Sequence, residues 1–170
     1  MARSRRARPS DIGEFALGLP ETAEAVAWGD RPAYQVRGKS FVIYRDARPD
    51  ALDANGERLT DVVVFSCSTP EEKQGLLASG PPWFTTAHFD GYNAVLVRLS
   101  ELGQVTRDEL VEVVEDAWLA RAPKRLAKEW LGLPADQTAS SVIDFTFVAP
   151  RGTPGLLAVT FQTPEGLVTV

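Results

Sequence analysis

The chain has 170 residues, of which 44% are hydrophobic and 24% are charged, and such values are typical of a folded globular domain and exclude wholesale disorder. Its 18 basic and 23 acidic residues give a net charge of -5, so the surface as a whole repels a polyanion, and a nucleic-acid contact would need a local cluster of cations. The single cysteine rules out an internal disulfide. No run reaches the roughly 18 consecutive apolar residues of a membrane span. We therefore expect a cytoplasmic protein outside the membrane.

The N-terminal segment is rich in arginine and poor in apolar residues. Its arginines are Arg3, Arg5, Arg6 and Arg8. We predict a flexible basic arm over residues 1–9, because the segment has no pattern of apolar side chains that it could bury. A helix is predicted to begin at Ser10, since Asp11 and Glu14 can form a capping box and the apolar residues that follow fall on one face. Pro20 ends this helix.

A β-hairpin is predicted over residues 33–44. Polar and apolar residues alternate on both sides of Arg37, Gly38 and Lys39, and a glycine in a tight turn supplies the positive φ that hairpins need. Residues 45–60 then predict a polar loop or a wide turn. Although this loop is acidic, we reject a calcium site because its carboxylates lack the spacing of an EF-hand.

Further strands and a short helix are predicted after this loop. The run DVVVFS at 61–66 is rich in β-branched residues and predicts a strand. Thr69 then provides the N-cap of a short helix that ends near Gly80. Residues 83–86 and 93–99 predict another pair of strands, which brings the sheet to about five strands.

The main helix is predicted to begin at Thr106, where Glu109 completes a capping box. Apolar residues recur at every fourth position along it: Leu110, Val114, Trp118, Ala122, Leu126 and Trp130. Pro123 breaks or kinks this helix, because an interior proline removes a hydrogen bond and clashes with the preceding turn. We predict that residues 10–131 form the main domain. Residues 132–170 form a β-rich C-terminal extension, in which VIDFTFV, LLAVTFQ and GLVTV predict two or three strands after a polar linker.

The sequence contains no recognisable catalytic or cofactor-binding motif. Neither a P-loop nor a dinucleotide-binding glycine pattern occurs, and His88 and Cys67 are too few for an ordinary zinc site, so we expect no metal and no cofactor. An enzymatic alternative would use His88 oriented by Asp90, or Cys67 activated at a helix N-terminus. We favour a surface histidine and a passive, partly buried thiol, and therefore expect a non-enzymatic protein.

The densest group of cations lies at the end of the main helix. Four basic residues fall within two turns there: Arg121, Lys124, Arg125 and Lys128. A solvated face is the favoured interpretation, because cations complement the dipole at a helix C-terminus and Glu129 lies beside them. Phosphate contact is the alternative, and these four residues are the best candidates for it outside the hairpin.

Four sequence segments together resemble the MmcQ/YjbR family. They are a Leu-Pro pair after the first helix, WGDRPAYQVRGKSF, HFDGYNAVLVRL and DELVEVVEDAWLARAPKRL, in unbroken order over residues 10–131. The resemblance implies a CyaY-like α+β fold, with an antiparallel sheet of about five or more strands and the N-terminal and C-terminal helices packed on one face. It also implies DNA binding through a double-wing arrangement, without catalytic residues.

By position, the resemblance places Arg37, Gly38 and Lys39 at a hairpin tip, and Lys124 and Arg125 in a basic segment after the last helix. The first functional hypothesis is therefore a non-enzymatic DNA-binding protein.

The alternative hypothesis is a protein- or small-ligand-binding module that uses the sheet face or the C-terminal strands. Residues 132–170 do not match the family, and they could extend the sheet, cover an exposed edge or exchange with a second subunit; we favour edge covering. We accordingly expect a monomer or a homodimer.

Overall fold

The computed structural model describes residues 3–134, 160–163 and 166–169. The chain divides into two compact units, residues 1–132 and 133–170. Among the described residues, no helix is both long enough and apolar enough to cross a membrane.

The first unit contains both α-helices and β-strands. The helices are α1 (Pro9–Gly18), α2 (Pro70–Ala78), α3 (Arg107–Arg121) and α4 (Lys124–Trp130). The strands are β1 (Thr22–Val26), β2 (Pro32–Val36), β3 (Lys39–Tyr44), β4 (Val62–Ser66) and β5 (Ala94–Arg98). A short 3₁₀ turn, Ala87–Phe89, precedes β5.

The strands of this unit form one antiparallel sheet in the order β1-β2-β3-β4-β5. Each strand pairs with its neighbour in the chain, and α2 lies in the connection between β4 and β5. The predicted α+β class is confirmed. The predicted hairpin is β2–β3, and it turns at Arg37 and Gly38, whose φ angles are 47° and 78°. Two positive φ angles in a two-residue turn give the twist that an antiparallel hairpin requires.

The composition of the sheet differs from the prediction at two places. The sequence analysis did not predict β1, because most of its side chains are exposed and show no apolar alternation. Residues 83–86, predicted as a strand, form only an isolated bridge, in which Phe84 and Leu96 exchange two backbone hydrogen bonds of 2.9 Å. Pro81 and Pro82 lack the N–H groups that would continue the ladder.

Helices α1 and α3 pack against each other on one face of the sheet. Helix α1 contacts β1 and β2, while α3 contacts β3 and β4. The core between them contains fully buried Ile12, Phe41, Phe65 and Trp118. Because each large apolar side chain contributes about 2 to 3 kcal/mol on burial, this layer is a main source of stability.

Helix α3 begins and ends where the sequence predicts. The hydroxyl of Thr106 accepts the N–H of Glu109, and the Glu109 carboxylate accepts the N–H of Thr106 at 2.6 Å. Pro123 separates α3 from α4, which confirms the predicted break. The buried part of the predicted apolar stripe consists of Leu110, Val114 and Trp118.

The segment before α1 lies against the loop that precedes α3. The N–H of Ala7 donates to the C=O of Val105 at 3.0 Å, and the N–H of Arg107 donates to the C=O of Arg5 at 2.8 Å. The Arg5 guanidinium donates to both oxygens of buried Asp11, at 2.8 and 2.5 Å. The backbone of this segment and one of its arginines therefore have partners in the fold, whereas the sequence analysis predicts a flexible basic arm here.

The opposite face of the sheet, here called the second face, carries a smaller core. Ala51 and Leu59, from the loop after β3, pack against apolar side chains of β4 and β5. A bridge between Leu52 and Arg58 closes this loop into the wide turn that the sequence predicts. The second face also forms the floor of a cleft.

In the second unit, the structure describes the strands β6 (Thr160–Thr163) and β7 (Gly166–Thr169), which form an antiparallel pair. The predicted strand VIDFTFV and most of the predicted linker lie outside the described residues.

Candidate functional site

The predicted hairpin tip, Arg37, Gly38 and Lys39, is exposed: Arg37 and Gly38 connect β2 to β3, and Lys39 is the first residue of β3. Glu21 binds Arg37, whose Nε and Nη2 both donate to the carboxylate, the latter at 2.8 Å. The hydrogen bond from Arg37 lowers the pKa of Glu21, so this carboxylate stays ionised and cancels the arginine charge. Lys39 forms no ion pair with any residue that the structure describes.

The predicted basic segment is only partly available for an anion. Arg125 pairs with Glu129 one turn later, with 3.0 Å between Nε and Oε1. Lys124 is exposed and has no ion-pair partner in the described part of the chain, and Lys128 is half-buried. Arg121 belongs to the last turn of α3 rather than to α4.

The charges at the hairpin tip and on α4 influence each other in the fold. The pKa of Arg37 is raised first by its hydrogen bond to Glu21 and further by the charge of Glu129, while Arg125 adds to the lowering of the Glu21 pKa. The hairpin tip and α4 are therefore close enough to interact. The two ion pairs at this place, Arg37 with Glu21 and Arg125 with Glu129, carry no net charge. Arg121 instead lines the cleft.

This cleft has a volume of about 1000 Å³. Its floor includes Ile43, Val64 and Ala94 of the second face, and its sides come from the loop after β3, the end of β4 and residues 88–93. Aromatic and cationic side chains on its lining include Arg45, Arg48, His88, Phe89, Tyr92 and Arg121. Sites for small molecules commonly enclose about 300 to 1000 Å³, so the cleft has the size of a ligand site.

Three aromatic residues, His88, Phe89 and Tyr92, form one side of the cleft, here called the aromatic wall. The rings of His88 and Tyr92 stack with 5.9 Å between centroids and 27° between planes. Phe89 meets both rings edge-on. Because Tyr92 is 61% exposed, its ring offers an apolar surface on which a planar molecule can stack.

A buried lysine on α2 positions the aromatic wall. Lys73 is 4% exposed, and its Nζ donates to the C=O of Phe89 at 2.6 Å and to the C=O of Tyr92 at 2.8 Å. These hydrogen bonds fix the backbone from which the two rings project. Lys73 itself does not line the cleft.

Arg45 connects the loop after β3 to the aromatic wall. Its Nη2 donates to both oxygens of Asp50, at 2.8 and 3.0 Å, and Asp50 also accepts the hydroxyl of Thr86 at 2.7 Å. The guanidinium carbon lies 5.1 Å from the ring centroid of Phe89, within the range of a cation–π contact. Its Nη1 is buried and has no hydrogen-bond partner among the described residues.

The carboxylate of Asp46, the next residue of this loop, is bound by an arginine that does not line the cleft. Arg31 donates to it at 2.6 Å. Gly29 packs against the same carboxylate, and a β-carbon at that position would lie 1.9 Å from Oδ2 of Asp46. With a φ of 73° as well, position 29 accommodates only glycine without rearrangement.

Cys67 and His88, the residues of the enzymatic alternative, both line the cleft. Burial raises the pKa of the Cys67 thiol to about 12, and the charge of Glu72 adds to the rise. His88 contacts the rings of Phe89 and Tyr92. The described residues contain no cluster of three or more side chains that could hold a metal ion.

Sequence reasoning identified some cleft residues for other roles and missed the rest. Arg121 was predicted as a phosphate contact, while Arg45 and Lys73 were not singled out. One available signal was Tyr92, an aromatic residue in the turn-forming segment FDGYN, where a ring has little chance of burial.

Comparison with known proteins identifies the family. An uncharacterised protein of Mycobacterium tuberculosis is 37% identical over 123 residues, which cover 71% of this chain and 93% of the relative. An uncharacterised protein of Mycobacterium bovis matches with the same identity and coverage. No solved structure matches the chain, so the CyaY-like detail and the double wing stay predictions. A sequence model of the YjbR family matches residues 17–120, which contain the whole five-stranded sheet and most of the cleft lining. As the sequence resemblance predicts, the chain belongs to the YjbR family.

Proposed function

We propose that the protein is a non-enzymatic module that binds a small ligand in the cleft on the second face of the sheet. The observation that carries this proposal is the size of the cleft, about 1000 Å³, together with the aromatic wall, in which Tyr92 is 61% exposed. Ligand sites are concave, rich in aromatic surface and supplied with a few polar groups, and the cleft combines all three properties.

The side chains of the cleft support binding rather than catalysis. A cysteine nucleophile acts as the thiolate, and a pKa of about 12 keeps Cys67 protonated at neutral pH. A histidine base needs a partner that orients it, whereas the contacts of His88 in the described part of the chain are with aromatic rings. The arginines can bind an anion but cannot act as bases, because a guanidinium stays protonated.

The uncharged fluorescent dye N-phenylnaphthylamine is expected to bind at one saturable site, because its rings leave water for the cleft. Ser68→Trp should weaken this binding at least about tenfold. Ser68 is exposed and lines the cleft, so an indole there would occupy ligand space. The matched control is Gln74→Trp, which places the same side chain on α2 outside the cleft lining and should leave affinity unchanged. Fluorescence titration measures both variants.

Nuclear magnetic resonance would locate the bound dye independently. Amide signals of residues 66–68 and 88–94 should shift on titration, while that of Gly38 at the hairpin tip should not. Binding that does not saturate, or an equal loss of affinity in both tryptophan variants, would show that the cleft is not the binding site.

DNA binding through the hairpin tip and α4 is a second candidate function. It is supported by the exposed side chains of Lys39 and Lys124, which have no ion-pair partner among the described residues, and by the proximity of Arg37 to α4. It is opposed by Glu21 and Glu129, which neutralise the arginines of the same surface.

If this surface binds DNA, the double replacement of Lys39 and Lys124 by alanine should weaken the complex with a short duplex. The negative slope of log affinity against log salt should become shallower by about two, because each lysine accounts for one phosphate contact. Replacing Arg3 and Arg58 by alanine removes the same charge from other elements and should have less effect. Gel shifts at several salt concentrations measure this.

A second pair of replacements tests the inhibitory role of the carboxylates. Glu21→Gln combined with Glu129→Gln should tighten DNA binding, because Arg37 and Arg125 lose their partners. No complex at low salt in either the wild type or this variant would reject DNA binding at this surface.

A further inference from the structure

We infer that the ligand of the cleft is a planar aromatic molecule that carries an acidic group such as a carboxylate or a phosphate. This inference rests on the proposed function, since it names the chemical class that the same cleft takes.

Cationic side chains outnumber anionic ones on the lining of the cleft. The charged lining residues that matter here are Arg45, Arg48, Arg121, Asp46 and Asp50. Both carboxylates are already bound, Asp50 by Arg45 at 2.8 Å and Asp46 by Arg31 at 2.6 Å. Arg48 and Arg121 form no ion pair with any residue that the structure describes. The cleft therefore presents two guanidinium groups whose charge is not compensated locally.

Arg121 is held at the edge of the cleft by β4. Its Nε donates to the hydroxyl of Ser66 at 3.1 Å, and Ser66 is only 8% exposed. This contact uses one of the five donors of the guanidinium. Paired N–H groups of arginine match the two oxygens of a carboxylate or phosphate, so an acidic ligand group is the natural partner of an arginine fixed in this way.

Two acidic residues that act electrostatically on Cys67, Glu72 and Asp116, form no ion pair with the arginines of the cleft in the described part of the chain and stay outside its lining. Glu72 accepts the N–H of Ser68 at 2.7 Å. The charge of Asp116, which lies on α3, contributes to the raised pKa of the Cys67 thiol. Burial also raises the pKa of Asp116, which makes its charged form less favourable than that of a solvated carboxylate.

The aromatic wall supplies the second requirement. His88 and Tyr92 present nearly parallel rings, 27° apart, and a flat ring system can cover Tyr92 by continuing this stack. A cationic ligand would find Asp46 and Asp50 occupied by arginines. The combination of stacked rings and guanidinium groups that form no ion pair with the described residues thus favours an aromatic acid over an aromatic cation.

Two dyes with the same rings separate the charge from the ring system. Anilinonaphthalene sulfonate differs from N-phenylnaphthylamine by one sulfonate, and it should bind at least about tenfold more tightly at low salt. Replacing Arg48 and Arg121 by glutamine should bring the two affinities close to each other. Replacing Arg3 and Arg58 by glutamine lowers the net charge equally, outside the cleft lining, and should preserve the difference.

The outcomes distinguish this inference from the proposed function. Equal binding of both dyes in the cleft, or a ratio of affinities that the double replacement at positions 48 and 121 leaves unchanged, would overturn the inference while the cleft remained a ligand site. Binding of neither dye would overturn both. If that double variant does not fold, the wild-type ratio serves instead: it should decrease with rising salt, because salt screens the arginine charge, and a salt-independent ratio would overturn the inference.

Discussion

Replacing Lys73 by methionine should lower the free energy of unfolding by about 3 kcal/mol and weaken dye binding in the cleft. Methionine fills a similar volume but donates no hydrogen bond, so the carbonyl groups of Phe89 and Tyr92 lose the Nζ contacts of 2.6 and 2.8 Å. Each carbonyl keeps one backbone donor, the N–H of Tyr92 at 3.0 Å and the N–H of Ala94 at 2.9 Å, so the cost is the loss of two hydrogen bonds from a charged donor, each worth about 1.5 to 3 kcal/mol. The lysine is 4% exposed, so water cannot readily replace it.

The loss of affinity should follow from movement of the aromatic wall, because Lys73 does not line the cleft. Urea unfolding followed by circular dichroism measures stability, and N-phenylnaphthylamine titration measures binding. Gln74→Met is the matched control, since it places the same side chain at an exposed neighbouring position of α2. If Lys73→Met were as stable as this control and bound the dye equally well, the two hydrogen bonds would not be what positions the wall.

The elements that the sequence predicts correctly are those with strong local signals. The turn at Arg37 and Gly38 requires positive φ, and a glycine flanked by alternating residues reports that requirement directly. Thr106 and Glu109 satisfy each other within one turn of helix, and Pro123 cannot donate a helical hydrogen bond. In each of these cases the cause lies within a few residues of its effect.

The features that the sequence does not predict depend on distant partners. Strand β1 lies at the edge of the sheet and carries mostly exposed side chains, so no alternation distinguishes it from a loop. The arginine-rich start is ordered by Asp11 and by the loop before α3, about a hundred residues away in the chain. Local composition records the charge of Arg5 but not the carboxylate that binds it.

The same limitation explains how much of the candidate sites could be predicted. Sequence spacing placed Arg37 at the hairpin tip correctly, but the carboxylate of Glu21, 16 residues earlier, neutralises the charge of that arginine. Arg121 was grouped with α4 by proximity in the chain, whereas its side chain bonds to Ser66 at the cleft. The cleft itself arises from loops that meet only in the folded chain, and no spacing rule covers such a meeting.

Asp11→Ala should lower the free energy of unfolding by about 2 kcal/mol near neutral pH. The side chain of Asp11 is 1% exposed, and it accepts hydrogen bonds from Arg5 and from the N–H of Arg8 at the start of α1. We expect less than the loss of about 3 to 5 kcal/mol for a fully buried ion pair, because Arg5 is 43% exposed and water can solvate it after the replacement. Glu14→Ala, on the exposed side of the same helix, is the matched control.

The pH dependence of this difference tests the ion pair itself. The hydrogen bond from Arg5 lowers the pKa of Asp11 to about 2 in the folded protein, whereas an aspartate in an unfolded chain titrates near about 3.9. Since the folded pKa is depressed, the stability that Asp11 contributes is complete above about pH 4 and is lost as the pH falls towards about 2. Urea unfolding of the wild type and Asp11→Ala should therefore give a difference that is constant between pH 5 and pH 7 and narrows steadily below about pH 4. A difference that stayed the same at acidic pH would mean that packing, rather than the charge of Asp11, holds the N-terminal segment in place.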